Sequence, residues 1–116
     1  MILNYQLQHH ETSVLSPMIF IHGLFGSLSN LGILARYFSE QRTVLQIDVR
    51  NHGLSGHSSD LNYQFMAEDV LETLSSLNIQ KFIVIGHSMG GKIAMKLADL
   101  ARVQTCLLYT SLSGLA

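Results

Sequence analysis

Three short runs, Met18-Ile19-Phe20-Ile21, Val44-Leu45-Gln46-Ile47 and Phe82-Ile83-Val84-Ile85, do most to limit the folds open to this chain. Each is rich in Ile, Val or Phe and is bounded by polar residues or glycine. None shows the apolar/polar alternation of a strand with one wet face. Strands covered on both faces lose that alternation, so the runs read as buried parallel strands with helices on either side. The stretches between them carry helical spacing. Leu31, Leu34 and Phe38 share one face, with Ser29 or Asn30 placed to cap. Met66, Val70, Leu74 and Leu77 form a second stripe; Glu68, Asp69 and Glu72 fall away from it, and Asn78 is placed to end the helix. A third helix is expected from about Met89 to Leu100, with Ile93, Ala94, Leu97 and Ala101 turned inward. Leu3–Gln8 alternates more and fits an edge strand. Strand and helix in turn give a layered α/β fold.

A length of 116 residues suits one domain, and 47 % hydrophobic against 13 % charged content suits a buried core. A net charge of −1 offers no electrostatic attraction for nucleic acid or an anionic membrane. The start lacks the basic and apolar regions of a signal peptide. No apolar run approaches the ~18 residues that a membrane span needs. The single cysteine, Cys106, cannot form an internal disulfide. These features together predict a soluble cytoplasmic protein.

The third run leads directly into Gly86-His87-Ser88-Met89-Gly90. G-x-S-x-G between an apolar strand and a helix reads as a nucleophile elbow, a sharp turn that lifts one serine into a site. Gly86 and Gly90 leave room where strand and helix approach, and Gly91 adds clearance. The helix that starts at Met89 directs its free N–H groups and positive dipole end at Ser88. If Ser88 attacks a carbonyl, the Met89 N–H is placed to bind the oxyanion. A second donor is expected from the turn after the first run, His22-Gly23-Leu24-Phe25-Gly26, whose glycines permit a tight bend that bares the Leu24 N–H. Phe25 and Leu28 are candidates to line an acyl pocket, as is His87 beside the serine. His22 is expected to shape the turn.

Two other readings compete. Gly86-x-x-x-x-Gly91-Lys92 matches most of a P-loop, but Ile93 stands where Ser or Thr must hold Mg²⁺. Asp48, His52 and His57 could be taken as metal ligands, but they lack a recognisable metal spacing and read as a polar turn after a strand. No metal is therefore assigned. A serine nucleophile needs a base and an acid to orient it. After Ser88 the chain holds no His and one carboxylate, Asp99, within the following helix. It reads as the front part of a hydrolase.

His22-Gly23-Leu24-Phe25-Gly26-Ser27, Asp48-Val49-Arg50-Asn51-His52-Gly53-Leu54-Ser55 and Gly86-His87-Ser88-Met89-Gly90-Gly91-Lys92 together resemble the α/β-hydrolase superfamily. More narrowly they are similar to bacterial esterases of the short acyl-ester and acyl-CoA thioester type. The resemblance covers about Leu3 to Ala101. It implies a three-layer α/β-hydrolase fold with a mostly parallel sheet, here truncated after the nucleophile helix. It implies Ser88 as nucleophile with Leu24 and Met89 as oxyanion donors, and a small acyl ester or thioester as substrate. It implies no metal or organic cofactor. The acid and His of the triad follow later strands in the family, so the role of acid is not carried to Asp99 and this piece is expected to be inactive. Another hydrolase activity of the superfamily (C–C bond hydrolase or haloperoxidase-like) and a non-catalytic binding module stay open.

The tail reads differently. Cys106-Leu107-Leu108-Tyr109-Thr110-Ser111 is identified as one translated frame of a transposon end used in DNA library preparation. The expected division is therefore residues 1–105 as part of one hydrolase domain and 106–116 as a non-native tail. An ordinary strand over Val103–Tyr109 is the alternative.

Overall fold

The computed structural model describes residues 1–101 and the backbone of 105–110. Strands β1 (Tyr5–Gln8), β2 (Met18–Ile21), β3 (Val44–Ile47), β4 (Phe82–His87) and β5 (Thr105–Thr110) form one sheet in the order β1-β3-β2-β4-β5. β1 runs antiparallel to β3 at the edge; the other pairs are parallel. The three apolar runs are thus the central parallel strands, and Leu3–Gln8 supplies the edge. β5 crosses the expected boundary at residue 105, and Leu112–Ala116 lie outside the described residues.

Side chains on these strands alternate between two cores. Ile19, Ile21, Leu45, Ile47 and Val84 pack beneath helices α2 (Tyr63–Ser76) and α3 (Met89–Ala101), against Val70, Leu74, Ile93 and Leu97. Met18, Phe20, Val44 and Ile85 pack on the other face beneath helix α1 (Gly32–Ser39). Burial on both faces explains why the runs show no period of two. Each large side chain removed from water contributes about 1.5–3 kcal/mol.

Two expectations about helix faces are corrected. Leu34 is 43 % exposed, and Ala35 is the buried residue of α1, flanked by Leu31 and Phe38. Leu31 stands at the N-cap of α1 and makes no side-chain bond there; Ser27 caps a 3₁₀ turn over Leu28–Leu31 that leads into α1, and its N–H donates to Asn30 Oδ1. Leu31, Ala35 and Phe38, spaced i, i+4 and i+7, make the face at the sheet, and Leu34 lies on its flank. On α2 the stripe Met66, Val70 and Leu74 holds, Asn62 Oδ1 accepts from the Phe65 N–H, and Asn78 takes a left-handed φ of 58° past the last turn. Asp69, however, is only 2 % exposed, because Arg50 reaches it from the end of β3. No helix among the described residues is long and apolar enough to cross a membrane.

The register decides where the loops meet. Ile21 lies opposite both Ile47 and Gly86, so β2 and β3 end level and β4 extends one residue further. Their following turns therefore stand side by side at the carboxyl end of the sheet, where α/β folds bind ligands.

Candidate active site

Ser88 is the single residue between β4 and α3 and has φ +57°. A non-glycine residue in that region is strained by roughly 1–2 kcal/mol. The glycines on either side explain how the strain is held. A Cβ at Gly86 would lie 2.2 Å from the Gly90 carbonyl oxygen. One at Gly90 would lie 2.1 Å from the Ile21 oxygen and 2.5 Å from the His22 oxygen. These obstacles are backbone and cannot swing aside, so the start of α3 presses against both its own strand and the end of β2. The Gly91 and Lys92 N–H groups donate to the Ser88 carbonyl at 2.9 and 3.3 Å and close the first turn of the helix.

The turn after β2 lies against this elbow. A Cβ on Gly23 would come within 3.4 Å of the Ser88 Cβ and 3.2 Å of the His87 oxygen. The Gly26 N–H donates to the Gly23 carbonyl at 3.0 Å, closing a four-residue turn, and Phe25 within it has φ +62°. Between turn and elbow lies a cavity of about 390 Å³ walled by Leu24, Phe25, Asn30, Leu31, His87 and Ser88. Four residues singled out in the sequence, Ser88, Leu24, Phe25 and His87, thus share one cavity. Met89 does not line it: its side chain packs on the core, and its N–H begins α3. Leu28 does not line it either. Its N–H donates to Asp48 and its carbonyl accepts from Gln46, while Leu31 takes the place expected for it. Neither the Leu24 N–H, the Met89 N–H nor the Ser88 hydroxyl has a partner outside its own helix among the described residues.

The turn after β3 supports the one after β2. Asp48 is buried, and its carboxylate accepts from the Leu28 N–H (2.7 Å), the Leu54 N–H (2.9 Å) and Asn4 Nδ2 (2.8 Å). Burial pushes its pKa up, but these donors and the nearby His22 more than offset that, and the carboxyl is held below its ordinary value. Asp48 is thus committed to structural donors, and no group of three His, Cys, Asp or Glu suited to a metal occurs among the described residues. Arg50 pairs with Asp69 through two bonds of 2.7 and 2.9 Å, and the Met1 ammonium reaches the same carboxylate at 2.8 Å.

Two histidines link the turns. His22 is buried; its Nε2 accepts from the Val49 N–H at 3.1 Å, and its Nδ1 donates to the Gly23 carbonyl at 2.7 Å. Burial depresses its pKa, outweighing the Gly23 bond. His52 repeats the pattern in reverse: its Nε2 accepts from the Phe25 N–H at 3.1 Å and its Nδ1 donates to the Arg50 carbonyl at 2.9 Å. The sequence reading gave His22 a part in shaping its turn but placed His52 only in a polar loop. The spacing offers no signal for the second link, since it joins residues 27 apart.

The family model of the α/β hydrolase fold matches residues 16–114. A Haemophilus influenzae protein named as an esterase/lipase is 55 % identical over 100 residues, which are 85 % of this chain and 35 % of that protein. Esterase YbfF of Escherichia coli is 49 % identical over 96 residues, 83 % of this chain and 36 % of YbfF. Among solved structures, a marine microorganism esterase superposes with a TM-score of 0.86 at 37 % identity, over 93 % of this chain and 41 % of the esterase. The chain spans about a third of the length of the curated relatives it matches.

Proposed function

The chain belongs to the α/β hydrolase fold family, and on that footing we propose that it is the front part of a serine hydrolase that cleaves carboxylic esters or thioesters. Ser88 Oγ attacks the acyl carbonyl as its proton passes to a base. The Met89 and Leu24 N–H groups stabilise the tetrahedral oxyanion. Collapse expels the alcohol or thiol, which takes the proton, and leaves an acyl group on Ser88. Water then releases the acid and restores the hydroxyl. The base and its orienting acid come from sequence beyond this chain, since no His follows Ser88.

The observation that carries the reading is the strained, half-buried Ser88 facing a cavity between the β2 turn and the first turn of α3. The esterase names of the relatives support an ester substrate. Phe25, Leu31 and His87 form the wall available to the acyl group.

A fluorophosphonate probe on the full-length protein tests this. Labelling at Ser88, lost in Ser88→Ala together with ester hydrolysis, is the expected outcome. No labelling in a folded protein favours a binding module. The 116-residue piece alone is expected to show little turnover, because loss of the base in a serine protease lowers kcat by about 10⁶. Normal esterase rates from the piece would overturn that. We also propose that 106–116 are not native, which a gene sequence continuing intact through those codons would refute.

A further inference from the structure

We propose that His52 is a positioning residue that sets the conformation of the oxyanion turn. Gly23-Leu24-Phe25-Gly26 is closed by the Gly26 N–H to the Gly23 carbonyl, and φ is positive at its third residue and not at its second. That is the sign pattern of a type II turn, whose third position ordinarily takes Gly or Asn. Here it holds Phe25, a bulky residue that is strained with φ above zero. The alternative, type I, differs by a flip of the central peptide and would relieve Phe25.

The N–H of that central peptide belongs to Phe25, and it donates to His52 Nε2 at 3.1 Å. In the flipped turn this N–H would point the other way and the Leu24 carbonyl would take its side. The imidazole therefore discriminates between the two turns by accepting from one of them. Its other nitrogen donates to the Arg50 carbonyl, which leaves Nε2 free of a proton and fixes the ring. Arg50 is itself anchored by Asp69. The ring also lies against His22, with centroids 5.2 Å apart, whose Nδ1 holds the Gly23 carbonyl at the start of the same turn. Strain at Phe25, an acceptor aimed at its amide and an anchored ring together fix the turn that carries Leu24; the Leu24 N–H, which belongs to the peptide before the one that flips, is positioned through the placement of that turn. His52 does not itself line the cavity and reaches its wall only through the Phe25 amide, so it acts through the turn alone. This proposal rests on the role given above to the Leu24 N–H.

The test uses the full-length protein labelled with ¹⁵N. A coupling through the hydrogen bond between the Phe25 amide nitrogen and His52 Nε2, with the proton of His52 on Nδ1, is expected. A protonated Nε2 or an absent coupling overturns the proposal, and this readout needs no variant. His52→Ala is expected to lower kcat about tenfold, with KM within about twofold, since a displaced donor loses part of the 10²–10³ that a deleted one loses. His52→Gln, which offers an amide oxygen in place of Nε2, should recover part of the rate. Unchanged kcat in folded His52→Ala overturns the positioning role. Failure of fluorophosphonate to label wild-type Ser88 would instead sink the hydrolase reading, and the coupling would still report on the turn.

Discussion

The turns after β2 and β3 end level on neighbouring strands, yet they are built on opposite plans. The β3 turn uses nearly every polar group it has. Asp48 accepts three bonds, Asn51 exchanges two with the Ser58 backbone, Arg50 pairs with buried Asp69, and Ser55 bonds the Asp48 carbonyl. The β2 turn keeps a left-handed Phe25 that is 91 % exposed and a Leu24 N–H with no acceptor among the described residues. One loop is a saturated frame; the other leaves a backbone donor without an acceptor among the described residues. The lesson is that an unsatisfied, strained turn persists because a satisfied neighbour over-determines it.

The largest effect should come from breaking the frame. Arg50→Ala removes both bonds to Asp69 and leaves a carboxylate that is 2 % exposed facing only the Met1 ammonium and solvent-poor surroundings. Breaking a buried pair costs about 3–5 kcal/mol, and the remaining ammonium places the expected loss near about 3. Urea denaturation would read it as a lower midpoint. A loss under about 1 kcal/mol would show that the frame does not depend on this pair.

Acid should act next, and first through the link between the turns. Burial holds the His22 pKa below its unfolded value. Such a group binds its proton preferentially in the unfolded chain. Its contribution to stability is complete above the unfolded value of about 6.5 and is lost as pH falls towards the folded one, at no more than about 1.4 kcal/mol per pH unit. Asp48, also held low, keeps its contribution above the ordinary carboxylate range and loses it only in stronger acid. Unfolding midpoints measured between pH 7.5 and 5 should therefore fall before carboxylates titrate. A flat profile there would contradict the buried, unprotonated state of His22.

The smallest effect should appear in the β2 turn, with the opposite sign. Phe25→Gly relieves a left-handed backbone costing about 1–2 kcal/mol but adds about 0.5–1 of chain entropy to lose on folding. With the side chain almost wholly in water, a net gain of about 0.5 kcal/mol is expected. A clear loss of stability would mean that Phe25 is packed rather than strained.

How much of this was legible in the sequence follows the same divide. The central strands were readable because burial on both faces leaves an unmistakable apolar run, and the tight turn at Ser88 because Gly86 answers to backbone a few residues on; Gly90 answers instead to Ile21 and His22 at the end of β2. Leu34 misled because i+3 and i+4 flank the same helical stripe, and spacing alone does not say which of Leu34 and Ala35 the sheet covers. Asp69 misled because a carboxylate on α2 ordinarily faces water, and its partner sits 19 residues earlier in a loop. The Phe25–His52 link was invisible for the same reason. Local periodicity reports what a residue's own helix or strand demands, and these contacts are set between loops.

The first residues of the chain are tied far along it. The Leu3 N–H donates to Thr73 Oγ1 and the Asn4 N–H to Ser55 Oγ, 70 and 51 residues away. Closing such long loops carries a large entropic cost before any contact rewards it. The segment pairs with β3 and reaches Ser55 in the next turn, and its last tie, to Thr73, forms only once α2 is in place. The edge strand, which precedes all of its partners in sequence, is accordingly among the late arrivals in assembly.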